Sequence, residues 1–159
     1  MGYSSLGYYM ICLSPVLALI LYLGVSLPSV GILVFVGMPF QVFLIGVVIP
    51  TIGVEVIGFA LYLFGHRNNE SMPFSLGLNI FLVLWGIVVT FYAAAMYGAL
   101  LDWTKLAQVT VTVQNHPEIV TYTTLAIMGL LWINLGIALT VAYWRSSKVV
   151  SRPARQVLT

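Results

Sequence analysis

Residues 74–101 read FSLGLNIFLVLWGIVVTFYAAAMYGALL, a run without one Asp, Glu, Lys or Arg. An α-helix rises about 1.5 Å per residue, and the hydrocarbon core of a bilayer is about 30 Å thick. Roughly 20 apolar residues therefore span it, and this run is long enough. Pro73 stands before it and Asp102 after it. The stretch predicts a transmembrane helix.

The same reading extends in both directions. Nothing before Glu55 is charged. The stretch from Leu6 to Phe64 is too long for one span, and proline placement divides it, because proline ends helices and disfavours helix just before itself. Breaks are expected at Ser26-Leu27-Pro28-Ser29 and Gly37-Met38-Pro39. Pro15 falls in the first turns of a helix, and Pro50 reads as a kink within one. Towards the C-terminus, residues 120–144 form a further apolar run closed by Tyr143 and Trp144.

The expected fold is all-α: an integral membrane bundle of four transmembrane helices, near 8–27, 40–65, 74–101 and 120–144. The count becomes five if 28–49 makes its own span; otherwise 28–38 is a short helical extension or a re-entrant piece. Residues 1–159 form a single membrane domain. Residues 102–118 are the second substantial loop. Within it Val109-Thr110-Val111-Thr112-Val113 alternates as a strand does, and Ile119 to Thr123 is β-prone, so a small outer β-hairpin competes with an extended loop.

Composition supports a lipid solvent. The chain is 61% hydrophobic and 6% charged, with a mean hydropathy of +1.06. Soluble proteins carry about 25% charged residues. Four acids and six bases cannot cover a soluble exterior. A net charge of +2 gives no basis for nucleic-acid binding. MGYSSLGYYM lacks a basic leader segment, so no secretory signal is expected. The lone Cys12 excludes an internal disulfide, and with it the outer-loop cysteine pairs of tetraspanins and claudins.

Orientation follows from Arg145, Lys148, Arg152 and Arg155 in the tail 145–159. Positive charge beside helix ends stays in the cytoplasm. The C-terminus, the 66–73 loop and, with four spans, the N-terminus are then expected inside. The Asn69-Glu70-Ser71 glycosylation pattern would not be used there.

Glu55 is the only acid or base within an expected span. It lies roughly 18 Å from the inner surface, counted back from Arg67. An intramembrane carboxyl is costly, and is by default a candidate proton relay, ion site or counter-ion. The bland alternative is an interhelical hydrogen bond that fixes packing. Asn134, about 15 Å above the inner surface, is the expected partner. Asn79 and Gln41 read as interhelical or interfacial glue. Small residues mark close helix approach: Gly86, Thr90, Ala94 and Gly98 on one face of the third span, Gly129 and Gly136 with Thr140 on the fourth, and Gly46, Gly53 and Gly58 on the second. Tyr3, Tyr8, Tyr9, Trp103 and Trp144 are expected as interfacial anchors.

No catalytic motif stands out. His66 and His116 belong to opposite sides, so a bis-histidine haem site is excluded, and Asp102, His116 and Glu118 make only a chance-level metal set. The chain is expected to bind no metal or cofactor of its own, and lipids surround it. Two functions fit: a non-catalytic accessory subunit of a larger membrane complex, such as a respiratory electron-transfer assembly whose other integral membrane subunits carry haem or copper, or a small homo-oligomeric transporter or channel that uses Glu55.

Overall fold

A computed structural model of the chain describes residues 2–30, 40–106 and 118–150. These form four long helices: α1 (Tyr3–Val30), α2 (Phe40–Arg67), α3 (Leu76–Leu106) and α4 (Glu118–Val150). Each contains a segment long and apolar enough to cross a membrane. The outside is oily and the inside partly polar: Ile45, Val88, Phe91 and Ile127 are exposed, while Ser4, Ser14, Thr51, Glu55 and Asn79 are buried. That inversion suits hydrocarbon, where polar groups find partners only within the protein.

The five-span alternative fails. Residues 40–48 run on into 49–67 as one helical segment. A π-helical turn, Leu44–Val48, interrupts α2 just ahead of Pro50, and Ile49 N–H donates to Leu44 O. Proline cannot donate and its ring crowds the preceding turn, so the wider π register meets it where a tight α turn would clash. α1 also passes through Leu27-Pro28, where a break was expected. Because α1 starts at Tyr3, Pro15 lies inside the helix rather than in its first turns. The carbonyl of Ile11, deprived of an N–H at Pro15, accepts the Ser14 hydroxyl at 2.9 Å.

α1 packs antiparallel on α2, and α3 on α4. Glycine sets the first crossing: a Cβ on Gly58 would stand 3.0 Å from the Gly7 carbonyl oxygen, and one on Gly65 would stand 2.7 Å from Ser4 Cβ. At the second, a Cβ on Gly86 would lie 2.5 Å from the Gly129 carbonyl oxygen, and one on Gly136 would lie 2.7 Å from Val83 Cγ2. The seam read from sequence is thus internal at Gly86, Thr90, Gly129 and Gly136. It turns outward beyond them: Ala94 is exposed and nothing stands within 4 Å of a Cβ on Gly98. Tyr8, Ile11, Cys12, Phe43, Leu82, Met128 and Trp132 fill the centre.

The turn after α2 is a Schellman closure. Asn69 takes the left-handed conformation with φ 56°, Asn69 N–H donates to His66 O, and Glu70 N–H donates to Gly65 O. The turn delivers the Glu70 carboxylate to the start of α1, where Oε2 accepts Ser4 N–H at 2.8 Å and Ser4 Oγ at 3.0 Å. The first N–H groups of a helix lack internal partners and favour negative charge. The Ser4 backbone N–H thereby holds the Glu70 carboxyl below its ordinary range. Phe74 stacks on Tyr143 at 4.0 Å, so the start of α1, the 68–75 turn and the end of α4 share one end of the bundle.

At the opposite end the β-prone stretch Ile119 to Thr123 is not a strand. It forms the first turns of α4. Thr123 and Thr124 hydroxyls donate to the carbonyls of Ile119 and Val120, which supports the helix against their branched preference. The other hairpin arm, 109–113, and His116 lie outside the described residues. α3 extends beyond 101, with Asp102 and Lys105 paired across one turn at 3.8 Å.

Two outcomes test this packing. Gly86→Leu should lower the thermal midpoint in mild detergent, by an overpacking cost of about 1–3 kcal/mol, while Gly98→Leu leaves it near the parent value. Equal effects would refute the crossing. Glu70→Gln should be less stable than the parent at neutral pH. A lowered carboxyl pKa stabilises above the ordinary glutamate value of 4.5 and ceases to do so as pH falls through the folded value. The gap should therefore close on acidification, and a gap independent of pH would exclude the cap.

Candidate functional site

Two polar clusters lie within the bundle, one near the shared end and one deeper. The deeper one is built on Glu55, which is 6% exposed. Its Oε1 lies 2.7 Å from Ser14 Oγ of α1 and accepts Trp132 Nε1–H of α4 at 2.6 Å. One carboxyl oxygen thus ties three helices. Thr51, one turn earlier on α2, closes on its own helix by donating to Val47 O at 2.7 Å.

Asn134 is not the partner of Glu55. It is exposed, and its Nδ2 donates to Leu130 O on its own helix at 2.8 Å. The reason is angular. Successive helical residues turn by about 100°, so Asn134 points about 200° away from Trp132, which faces inward. Depth alone selected a residue at nearly the right height on the wrong side. Counted from Trp144, Trp132 lies about 18 Å into α4, the same distance that Glu55 lies from Arg67 at the end of α2. That match was available in the sequence. The signal is an indole N–H, a lone donor that needs a partner when buried.

The second cluster centres on Asn79, which is 2% exposed. Its Oδ1 accepts Tyr8 Oη–H at 2.7 Å and faces Cys12 Sγ at 4.0 Å, while its Nδ2 donates to Thr140 Oγ1 at 3.0 Å. The Thr140 hydroxyl itself donates a hydrogen bond to Gly136 O at 2.9 Å. Tyr8 also accepts Ser75 N–H at 3.0 Å, one of the orphan donors at the start of α3. Asn79, on α3, is hydrogen-bonded to α1 through Tyr8 and to α4 through Thr140. Tyr8 departs from expectation: it is buried to 1% exposure, whereas Tyr3 and Trp144 are exposed as anchors should be. Gln41 is exposed at the start of α2.

These clusters complete the hydrogen bonding of the interior. Among the described residues no fully buried side-chain oxygen or nitrogen lacks a partner. No group of three or more His, Cys, Asp or Glu side chains among them is placed to hold a metal ion. Chemically, the Glu55 cluster can hold helices together and can hold a proton. Comparison with protein-family models, curated proteins and solved structures finds no match to the chain.

Removing one interhelical bond in a membrane bundle costs about 0.5–2 kcal/mol. Ser14→Ala and Trp132→Phe should each lower stability in detergent by that amount, and Asn134→Leu should leave it unchanged. A larger loss from Asn134→Leu than from Trp132→Phe would contradict the assigned partner.

Proposed function

We propose that the chain is a non-catalytic structural subunit of a larger membrane complex. One observation carries this reading: the intramembrane carboxyl is engaged by Ser14 and Trp132 in the bundle's own packing. The outward turn of the small-residue seam at Ala94 and Gly98 adds support, because it leaves a thin strip of α3 on which another helix can lie closely. Other integral membrane subunits are the natural partners. A respiratory electron-transfer assembly is the class favoured, with any haem or copper held by those partners. The cations of the tail favour a cytoplasmic C-terminus in this reading, and the start of α1 and the 68–75 turn would go with it because they share that end.

A second reading is a homo-oligomeric transporter or channel that uses Glu55. It is favoured by the π-helical turn Leu44–Val48 on the same helix, since such turns occur often at functional sites. Purification from native membrane in mild detergent separates the two. Stoichiometric partner chains bearing haem, copper or iron–sulfur support the first. A single-chain oligomer whose ion or proton flux in liposomes is abolished by Glu55→Gln, with assembly retained, would replace it with the second.

A further inference from the structure

The Glu55 cluster has more close oxygen contacts than its visible donors can serve. Ser14 Oγ lies 2.9 Å from Ile11 O and 2.7 Å from Glu55 Oε1. It carries one hydrogen. The Ile11 carbonyl can only accept, and Pro15 has removed the backbone donor that an unbroken α-helix would give it. The hydroxyl hydrogen meets that deficit when it is directed there. The contact to Oε1 is then served by a hydrogen from the other side. Trp132 Nε1–H already points at the same Oε1, an arrangement that a carboxylic O–H satisfies by accepting from the indole and donating to Ser14.

We infer that Glu55 is a proton-binding site, a carboxylic acid whose Oε1–H donates to Ser14 Oγ, and that it is open to hydrophobic carboxyl-modifying reagents through Oε2. Among the described residues nothing facing it supplies a compensating charge. α1 presents the Ser14 hydroxyl, α4 the Trp132 indole and α2 itself Thr51. The ion pair seen among the described residues, Asp102 with Lys105, is at the far end of α3. An uncompensated carboxylate at this depth is disfavoured by hydrocarbon. Oε2 accepts no hydrogen bond among the described residues, yet no fully buried oxygen is unpartnered there. Oε2 is therefore not fully enclosed by the described residues, which is the opening a small apolar reagent would use. This assignment is independent of whether the chain transports anything.

A dialkylcarbodiimide is the matching probe. The acid's proton moves to one carbodiimide nitrogen as the carboxylate oxygen bonds to the central carbon, giving an O-acylisourea. The acyl group then migrates from oxygen to nitrogen, breaking the C–O bond and forming C–N, and leaves a stable N-acylurea. No atom is lost and no oxidant is needed.

The experiment uses the full chain in detergent at neutral pH. Dicyclohexylcarbodiimide should modify Glu55, read by peptide mass mapping, while a water-soluble carbodiimide should modify Glu70 and spare Glu55. Infrared spectra should show the carbonyl stretch of a protonated carboxyl, absent in Glu55→Gln. The mapping needs no variant, so it stands if that substitution fails to fold. Labelling of Glu70 with Glu55 untouched by the hydrophobic reagent would overturn the access through Oε2. A parent spectrum holding only carboxylate bands would overturn the proton.

Discussion

The helix backbone of α1 is short of one hydrogen bond at Pro15, and hydrocarbon offers no water to replace it. Much of the interior follows from that deficit. The Ser14 hydroxyl turns back to the Ile11 carbonyl, which places its oxygen against Glu55, which in turn meets Trp132 on α4. A local fault in one helix becomes a contact among three. In a soluble protein a water molecule would serve the same carbonyl and the chain of consequences would stop there. In lipid each unmet polar group costs several kcal/mol, so the deficit is handed from side chain to side chain until it closes.

Two kinds of contact divide the work of assembly. Helices adjacent in sequence, α1 with α2 and α3 with α4, meet through glycines at close backbone approach. Contacts between these two hairpins rely more on polar pairs: Tyr8 with Asn79, and Glu55 with Trp132. Each such bond averages only about 0.6 kcal/mol in membrane bundles. Their directionality matters more than their strength. A dispersion seam tolerates sliding by a turn, but an indole N–H aimed at one carboxyl oxygen does not. The hairpins are held by packing and their register is set by hydrogen bonds.

Spans were legible because hydrocarbon thickness is a length, and length is written directly in an apolar run. Their ends were less so. Leu27-Pro28 was read as a break because proline is costly inside a helix, yet α1 continues to Val30. Ile119 to Thr123 has branched residues that suit a hairpin arm as well as a loop, yet it starts α4, supported by threonine hydroxyls on the carbonyls of Ile119 and Val120. Within the site, Glu55 and Asn79 were visible because a polar residue in a long apolar run has no bland explanation. Ser14, Tyr8 and Trp132 were not, because serine is common in such helices and aromatic residues have an interfacial reading. Facing direction was the missing quantity: it separates Trp132 from Asn134, two residues apart.

The choice of glutamate over glutamine at position 55 is itself informative. With the Ser14 hydrogen spent on Ile11 O, as inferred above, Oε1 has to donate to Ser14 and accept from Trp132. An acid O–H does both, whereas a glutamine oxygen, which only accepts, would keep Trp132 alone. The amide would surrender one bond of about 0.5–1.5 kcal/mol, which weakens the bundle without dissolving it. A scaffold alone gains that modest increment from the acid. A proton-handling site gains something an amide can never supply, namely a hydrogen that can leave. The same three-helix contact therefore serves a purely structural role and remains competent for the other, and the distinction rests on whether that hydrogen exchanges.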